Sequence, residues 1–187
     1  MSARILIAGI GNIFHGDGGF GVEVARRLET YPLPEGVTVT DVGIRSLHLA
    51  YAMLERPDLL LVIDAVRRGG APGTIYLMDV TELASASPRD LPETRGMSIT
   101  TVVTAAWTLG GKSPPILLVG CEPEFIGERM GLSAVVKGAV PKAEDLIRGT
   151  VARWLGSAVG QPSVIGGIAK LSQAGIRLLT VGSWFQR

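Results

Sequence analysis

Hydrophobic and polar positions along the chain alternate between short apolar runs and longer amphipathic segments. Ile5–Ile10 and Leu59–Ala65 are continuous apolar runs of strand length, which is typical of strands buried on both faces of a sheet. Phe20–Glu29 places Arg26 and Arg27 on the polar side of an amphipathic pattern, which predicts a helix. The same criteria predict strands at Val37–Val42, Gly73–Met78 and Ile116–Val119, and helices at Leu47–Leu54, Thr101–Leu109 and Pro141–Leu155.

This alternation of strands and helices predicts a three-layer α/β fold. We expect a doubly wound, mostly parallel sheet with helices on both faces, formed by one domain over residues 1–156. The stretch Thr81–Met97 is interrupted by proline, serine and charge, and is predicted to be a loop.

Residues 157–187 are interpreted as a C-terminal extension of unknown role. Its apolar patch, Ile176–Val181, needs cover. It could dock on the domain, add a strand to a sheet edge or pack against another copy. Docking on its own or a neighbouring chain is favoured, because an exposed apolar edge invites aggregation.

Composition excludes several classes of protein. The 187 residues carry a formal net charge of +1, which gives no electrostatic case for binding nucleic acid. No apolar run is long enough to span a membrane, and the start lacks the ordered regions of a signal peptide. Cys121 is the single cysteine, so an internal disulfide is excluded and a reducing cytoplasm is expected. We expect a monomer or a weak homo-oligomer.

Candidate chemistry lies where two predicted strands end. Asn12, His15 and Asp17 follow the first strand, at the edge where open α/β sheets build their sites. Asp64 ends an apolar strand, where a carboxylate is costly unless it is paired or bound to a cation. The alternatives are that Asp64 caps a turn, that Asp17 caps the first helix and that His15 is an exposed loop residue. His48 is interpreted as a surface or interface residue, and Cys121 as a small buried hydrophobe rather than a nucleophile.

Several phrases, taken in order, resemble the hydrogenase maturation endopeptidases. That family trims the C-terminal extension from the large subunit of nickel-iron hydrogenases. The resemblance covers about residues 4 to 155. The matching phrases are Gly9–Asn12, Gly21–Val24, Val42–Tyr51, Leu61–Ala65, Gly69–Thr74 and Leu118–Pro123.

The resemblance implies a nickel-dependent endopeptidase whose partner is the hydrogenase large subunit and whose nickel belongs to the substrate. Asp17 and Asp64 are then the candidate catalytic residues, with Asp64 also a metal ligand. Two of the three ligand positions of the family are altered here. Gly18 stands where the family has an acid, and Arg95 stands where it has a histidine. Nickel binding by this chain is therefore expected to be weak or absent.

Other residues of the first loop could compensate for the altered ligand positions. His15 lies near Gly18 and could serve as a replacement ligand, and Asp17 could also turn inward. Asn12 and Gly43 are assigned to loops that contact the substrate.

Two alternatives stay open at this point. The lost ligands favour a homologue that binds the large subunit without cutting it. The glycine-rich loop and Asp41, at the end of the second strand, favour a nucleotide-binding module. The second alternative is weaker, because Phe14 occupies the place of the third fingerprint glycine and no phosphate-loop lysine is present.

Overall fold

The computed structural model describes residues 3–44, 46–81, 114–156 and 177–179. Within these ranges the strands are β1 (Ile5–Ile10), β2 (Val37–Gly43), β3 (Leu59–Ala65), β4 (Ile75–Asp79), β5 (Ile116–Cys121) and β6 (Arg177–Leu179). The helices are α1 (Phe20–Glu29), α2 (Ser46–Leu54) and α3 (Ala134–Gly156), and a 3-10 turn over Gly16–Gly19 precedes α1.

The strands form one sheet in the order β2-β1-β3-β5-β4-β6. Strands β2, β1, β3 and β5 are parallel, whereas β4 runs antiparallel to β5. This arrangement confirms the predicted mostly parallel α/β fold. The carboxyl ends of the four parallel strands meet at one edge of the sheet, called here the carboxyl edge.

Two hydrophobic clusters cover the two faces of the sheet. Ile5 and Ile7 of β1 pack in the cluster that contains the buried residues of α1 and α3. Leu6 and Ala8, which alternate with them, pack in the second cluster with Leu49 of α2. Helices therefore lie on both faces of the sheet, as predicted. Every residue of β1, β3 and β5 is buried, which explains why the sequences of these strands are continuously apolar.

Close backbone packing fixes the first loop over the carboxyl edge. A Cβ atom at Gly21 would overlap the carbonyl oxygens of Ile10 and Ile63, so α1 lies directly against β1 and β3. Gly11 has a φ of 139°, and a Cβ there would overlap the carbonyl oxygen of Gly18. Only glycine fits both positions, and the 3-10 turn is consequently held above the ends of the strands.

The last helix is longer than predicted. It begins at Ala134 instead of Pro141, because the Ser133 hydroxyl accepts a hydrogen bond from the Val136 amide and the Ser133 carbonyl accepts one from Lys137. Pro141 therefore lies inside the helix, where it lacks the amide that would bond to the preceding turn. The predicted helix Thr101–Leu109, and the predicted loop Thr81–Met97 apart from Thr81, lie outside the described residues.

Three residues of the C-terminal extension add an edge strand. Arg177–Leu179 pairs antiparallel with β4, placing Leu178 opposite Met78. This is one of the arrangements considered for the apolar patch. The division into a domain over 1–156 and an extension stays a prediction. None of the described helices is long and apolar enough to cross a membrane.

Candidate functional site

Asp64 lies at the carboxyl edge near the end of β3. Only 5% of it is exposed, and its Oδ1 atom accepts a hydrogen bond of 2.7 Å from the Ala65 amide. It lies on the same face of β3 as Leu60 and Val62, which pack toward α2. A carboxylate is thus held at the end of a buried strand, as the sequence predicts.

Asp17 makes a different set of contacts. It is 1% exposed, and its Oδ2 atom accepts hydrogen bonds from the amides of Glu124 (2.9 Å) and Phe125 (2.8 Å). The Ser133 amide donates to Oδ1 at 2.7 Å, and the Ser133 hydroxyl donates to Oδ2 at 3.1 Å. The carboxylate thereby joins the first loop to the segment that leads from β5 into α3. The alternative that Asp17 caps α1 is wrong, because Gly19 occupies the cap position without a side-chain bond.

The first loop is also joined to its neighbours through backbone hydrogen bonds. The Gly11 amide donates to the Gly43 carbonyl at 3.1 Å, and the Asn12 amide donates to the Gly18 carbonyl at 2.9 Å. The Asn12 side chain accepts a hydrogen bond from the Phe14 amide at 3.0 Å. Asn12, in the first loop, and Gly43, the last residue of β2, therefore both lie at the carboxyl edge, where they help to fix the backbone of the first loop.

Gly18 occupies a position that has room for a side chain. A Cβ atom there would lie 3.5 Å from the His15 Cβ and 3.7 Å from the Asn12 carbonyl oxygen, which are ordinary contacts. Its φ is not in the left-handed region. The loop therefore does not require glycine at this position.

His15 lies on the surface of the first loop, where its backbone forms a bridge with Arg129. Among the described residues, no three histidine, cysteine, aspartate or glutamate side chains come together to hold a metal ion. The described residues thus do not fit a metal held by this chain alone, and Gly18 supplies no ligand. Arg95, the other altered position, lies outside the described residues.

Two further sequence interpretations concern residues away from the carboxylates. His48 is exposed on α2, as expected for a surface residue. Cys121 is buried at the end of β5. Burial, and then the charges of Asp17 and Glu122, raise the pKa of its thiol to about 12. The thiol is therefore protonated at neutral pH and is not an activated nucleophile.

Glu122 is a buried carboxylate that the sequence analysis did not single out. Its Oε2 atom accepts hydrogen bonds from the Arg68 amide (2.8 Å), the Gly70 amide (3.2 Å) and the Tyr76 hydroxyl (2.8 Å). Its Oε1 atom accepts one from the Gly69 amide at 3.3 Å. These bonds fix the turn over residues 67–70, which follows the end of β3 and is called here the 67–70 turn.

The electrostatics of Glu122 reflect these partners. Burial alone would raise its pKa, but hydrogen bonds from the Arg68 amide, Tyr76 and the two glycine amides outweigh this effect and hold the pKa below its ordinary value. Burial and the bond to Glu122 raise the pKa of Tyr76 to about 12. The sequence gives only a weak signal for the contact between Glu122 and the 67–70 turn. The signal is a glutamate between a strand and Pro123, together with a Gly-Gly turn elsewhere in the chain.

Sequence comparison relates this chain to a known protein family. A sequence model for a family described as hydrogenase maturation protease matches residues 22–150, a range that includes Asp64 and Arg95 and begins after Gly18. The chain is 33% identical over 156 residues to the hydrogenase expression/formation protein HupD of Bradyrhizobium diazoefficiens, covering 81% of this chain and 79% of HupD. It is 31% identical over 153 residues to the coenzyme F420 hydrogenase subunit delta of Methanothermobacter thermautotrophicus, covering 78% and 92% of the two chains.

Solved structures agree with the sequence comparison. The hydrogenase maturating endopeptidase HybD from E. coli superposes with a TM-score of 0.68 at 27% identity, covering 80% of this chain and 92% of HybD. The [NiFe] hydrogenase maturation protease HycI from Thermococcus kodakarensis gives 0.61 at 27% identity, covering 78% and 90%. The fold and its connectivity are thus shared with these proteins over about four-fifths of the chain.

Proposed function

The chain belongs to the hydrogenase maturation protease family, and we propose that it removes the C-terminal extension from the precursor of a nickel-iron hydrogenase large subunit. The family match carries the proposal, because it extends over residues 22–150 and includes β3 and Asp64. The nucleotide-binding alternative loses its support, since Asp41, its candidate ribose ligand, is paired with Arg26 at 2.9 Å and the matching family is one of proteases.

In this proposal the nickel belongs to the precursor. Asp64 is the residue of this chain that contacts it, because a carboxylate suits a divalent cation and the end of β3 fixes its position. His15, on the surface of the loop that carries Gly18, is the replacement ligand that we propose for the missing acid. Asp17 contributes by holding that loop in place through its bonds to the segment over 124–133.

A second function is favoured by one observation. Gly18 supplies no carboxylate, although the backbone would accept a side chain there. A chain that binds the nickel-loaded precursor without cutting it would need no ligand at this position. The alternative proposal is therefore a maturation factor that holds the large subunit and is impaired as a protease.

Cleavage is tested by incubating the full-length protein with the nickel-loaded precursor and measuring the intact mass of the precursor. We expect loss of the C-terminal extension with the wild-type protein, and at least about hundredfold slower loss with Asp64→Asn, since removing a group that acts at the reacting centre typically costs this much. Asp145→Asn, an exposed aspartate of α3, is the matched control and should cut at the wild-type rate. Wild-type cleavage by the Asp64→Asn protein would contradict the assignment.

The two functions are separated by restoring the altered positions. If the wild-type protein binds the precursor but leaves it intact, Gly18→Asp combined with Arg95→His should introduce cleavage. The double variant should also bind nickel much more tightly in a calorimetric titration, because it gains two ligands and loses one positive charge. No gain in nickel affinity would count against the placement of the site. A wild-type protein that neither binds nor cuts the precursor would contradict both functions.

A further inference from the structure

The 67–70 turn presents two adjacent arginines at the carboxyl edge. Arg67 is exposed and Arg68 is half-buried, and both follow Asp64 by a few residues. Val66 is still bonded to the sheet, because its amide donates to the Cys121 carbonyl at 2.9 Å. The two arginines therefore begin where the sheet ends, at the same edge as Asp64.

The backbone of this turn is held in one conformation. Three consecutive amides, those of Arg68, Gly69 and Gly70, donate to the buried Glu122 carboxylate. The Tyr76 hydroxyl donates to the same carboxylate, and a Cβ atom at Gly70 would overlap that hydroxyl. The turn thus packs tightly on β4 and β5 and has little freedom to move.

Among the described residues, neither of the two guanidinium groups forms an ion pair. Within the described part of the chain, the ion pairs join Arg26 to Asp41 and Arg27 to Glu144. Glu122 lies under the turn, but its hydrogen bonds come from backbone amides and Tyr76. Two consecutive arginines that pair with no described carboxylate therefore lie on a fixed backbone, at the same edge of the sheet as Asp64.

We propose that Arg67 and Arg68 bind a carboxylate of the precursor polypeptide and so position its C-terminal segment beside Asp64. This inference rests on the proposed function and deepens it by naming the chemistry that is recognised. A guanidinium matches the planar geometry of a carboxylate and can form two parallel hydrogen bonds with it. Because the turn is already ordered, binding requires ordering of the side chains only.

The carboxylate can come from two sources in the precursor. It is either the terminal carboxylate of the C-terminal extension or an acidic side chain within that extension. Both present the same group to the arginines, and both would position the chain on the same edge of the sheet. They are separated chemically, because amidation removes the first and replacement of aspartate and glutamate by asparagine and glutamine removes the second.

The test measures binding of the nickel-loaded precursor to the full-length protein at low and high salt. Charge reversal in Arg67→Glu with Arg68→Glu should raise the Kd by at least about tenfold at low salt, because an attraction becomes a repulsion. The difference should shrink at high salt, because the groups are largely exposed. Arg56→Glu is the matched control, since this exposed arginine precedes β3 at the opposite end of the same strand. It should leave the Kd unchanged.

Several results would overturn the proposal. One is an unchanged Kd with an unchanged salt dependence in the charge-reversed protein, while the wild-type protein binds the precursor. Another is wild-type affinity for precursors in which the terminal carboxylate and the acidic side chains of the extension are both removed. A wild-type protein that fails to bind any precursor contradicts the proposed function instead. If the charge-reversed protein unfolds, Arg67→Gln with Arg68→Gln is measured in its place, with an expected weaker loss in the same direction.

Discussion

Replacing Asp17 separates a structural role of this carboxylate from a chemical one. Its four hydrogen bonds come from the amides of Glu124, Phe125 and Ser133 and from the Ser133 hydroxyl. In Asp17→Asn, one oxygen becomes an amide group that cannot accept a bond. At least one buried donor then loses its partner, at a cost of about 1–3 kcal/mol, and the remaining bonds lose their charge assistance.

The expected loss for Asp17→Asn is therefore about 2–4 kcal/mol of the free energy of unfolding, against a total of about 5–15 kcal/mol for a typical protein. For a chain of this size this lowers the Tm by roughly 4–16 °C. The measurement is urea and thermal unfolding followed by circular dichroism, with no precursor present. Asp17→Ala should be worse, because it removes every acceptor.

Two neighbouring variants calibrate this result. Ser133→Ala removes one hydroxyl bond to Asp17 and the cap of α3, and should cost about 1–2 kcal/mol. Gly18→Ala adds a Cβ atom with ordinary contacts and should change stability little. The reasoning is refuted if Asp17→Asn unfolds at the wild-type urea concentration while cleavage is lost, since Asp17 would then act in the chemistry and not in the fold.

Three further predictions follow from buried polar groups. Burial is the main cause that raises the pKa of the Cys121 thiol to about 12. The thiol should therefore resist alkylation at pH 8 in the folded protein and react fully in urea. Rapid modification of the native protein, measured by mass spectrometry, would contradict this expectation. Although burial acts to raise it, hydrogen bonds lower the folded pKa of Glu122, so its ionised form stabilises the protein above the unfolded pKa, and this contribution is lost as the pH falls through the folded pKa. Glu122→Gln should therefore flatten the acid limb of a stability–pH curve, and an unchanged limb would argue against the assignment. Arg27→Met leaves the buried Glu144 carboxylate without its ion-pair partner. It should lower the free energy of unfolding by about 1–3 kcal/mol, less than for a fully buried pair, because Arg27 is partly exposed. The double variant Arg27→Met with Glu144→Leu should recover part of this stability in urea unfolding, and no recovery would show that the loss has another cause.

The sequence predicts the parallel core well because the signal there is local. In β1 and β3 every residue is buried, so the apolar run and the strand coincide. The direction of β4 leaves no such signal, because a short apolar strand has the same pattern in either orientation. The start of α3 was placed too late, since Pro141 is compatible with a first turn and the capping role of Ser133 becomes visible only in the structure.

The site is less predictable because its contacts join distant parts of the chain. Asp64 can be identified locally, as a carboxylate at the end of an apolar strand. The partners of Asp17 lie 107 to 116 residues away in sequence, and those of Glu122 lie 46 to 54 residues away. No spacing rule relates such residues, so the sequence analysis could propose a catalytic Asp17 but could not recognise what its carboxylate holds together.

The glycines of the first loop and of the start of α1 differ in whether the fold requires them. Gly11 and Gly21 are required by close backbone packing, where a Cβ atom would overlap a carbonyl oxygen. Gly18 has neither a left-handed φ nor a close contact, so folding does not require glycine at the position where the resemblance leads us to expect an acid. The fold needs Asp17 to hold the first loop in place, whether or not the chain cuts its partner. The presence of Asp17 is therefore no argument for protease activity. The identity of residue 18 therefore bears on the chemistry or on the partner, which is why restoring an acid there separates a protease from a factor that only binds.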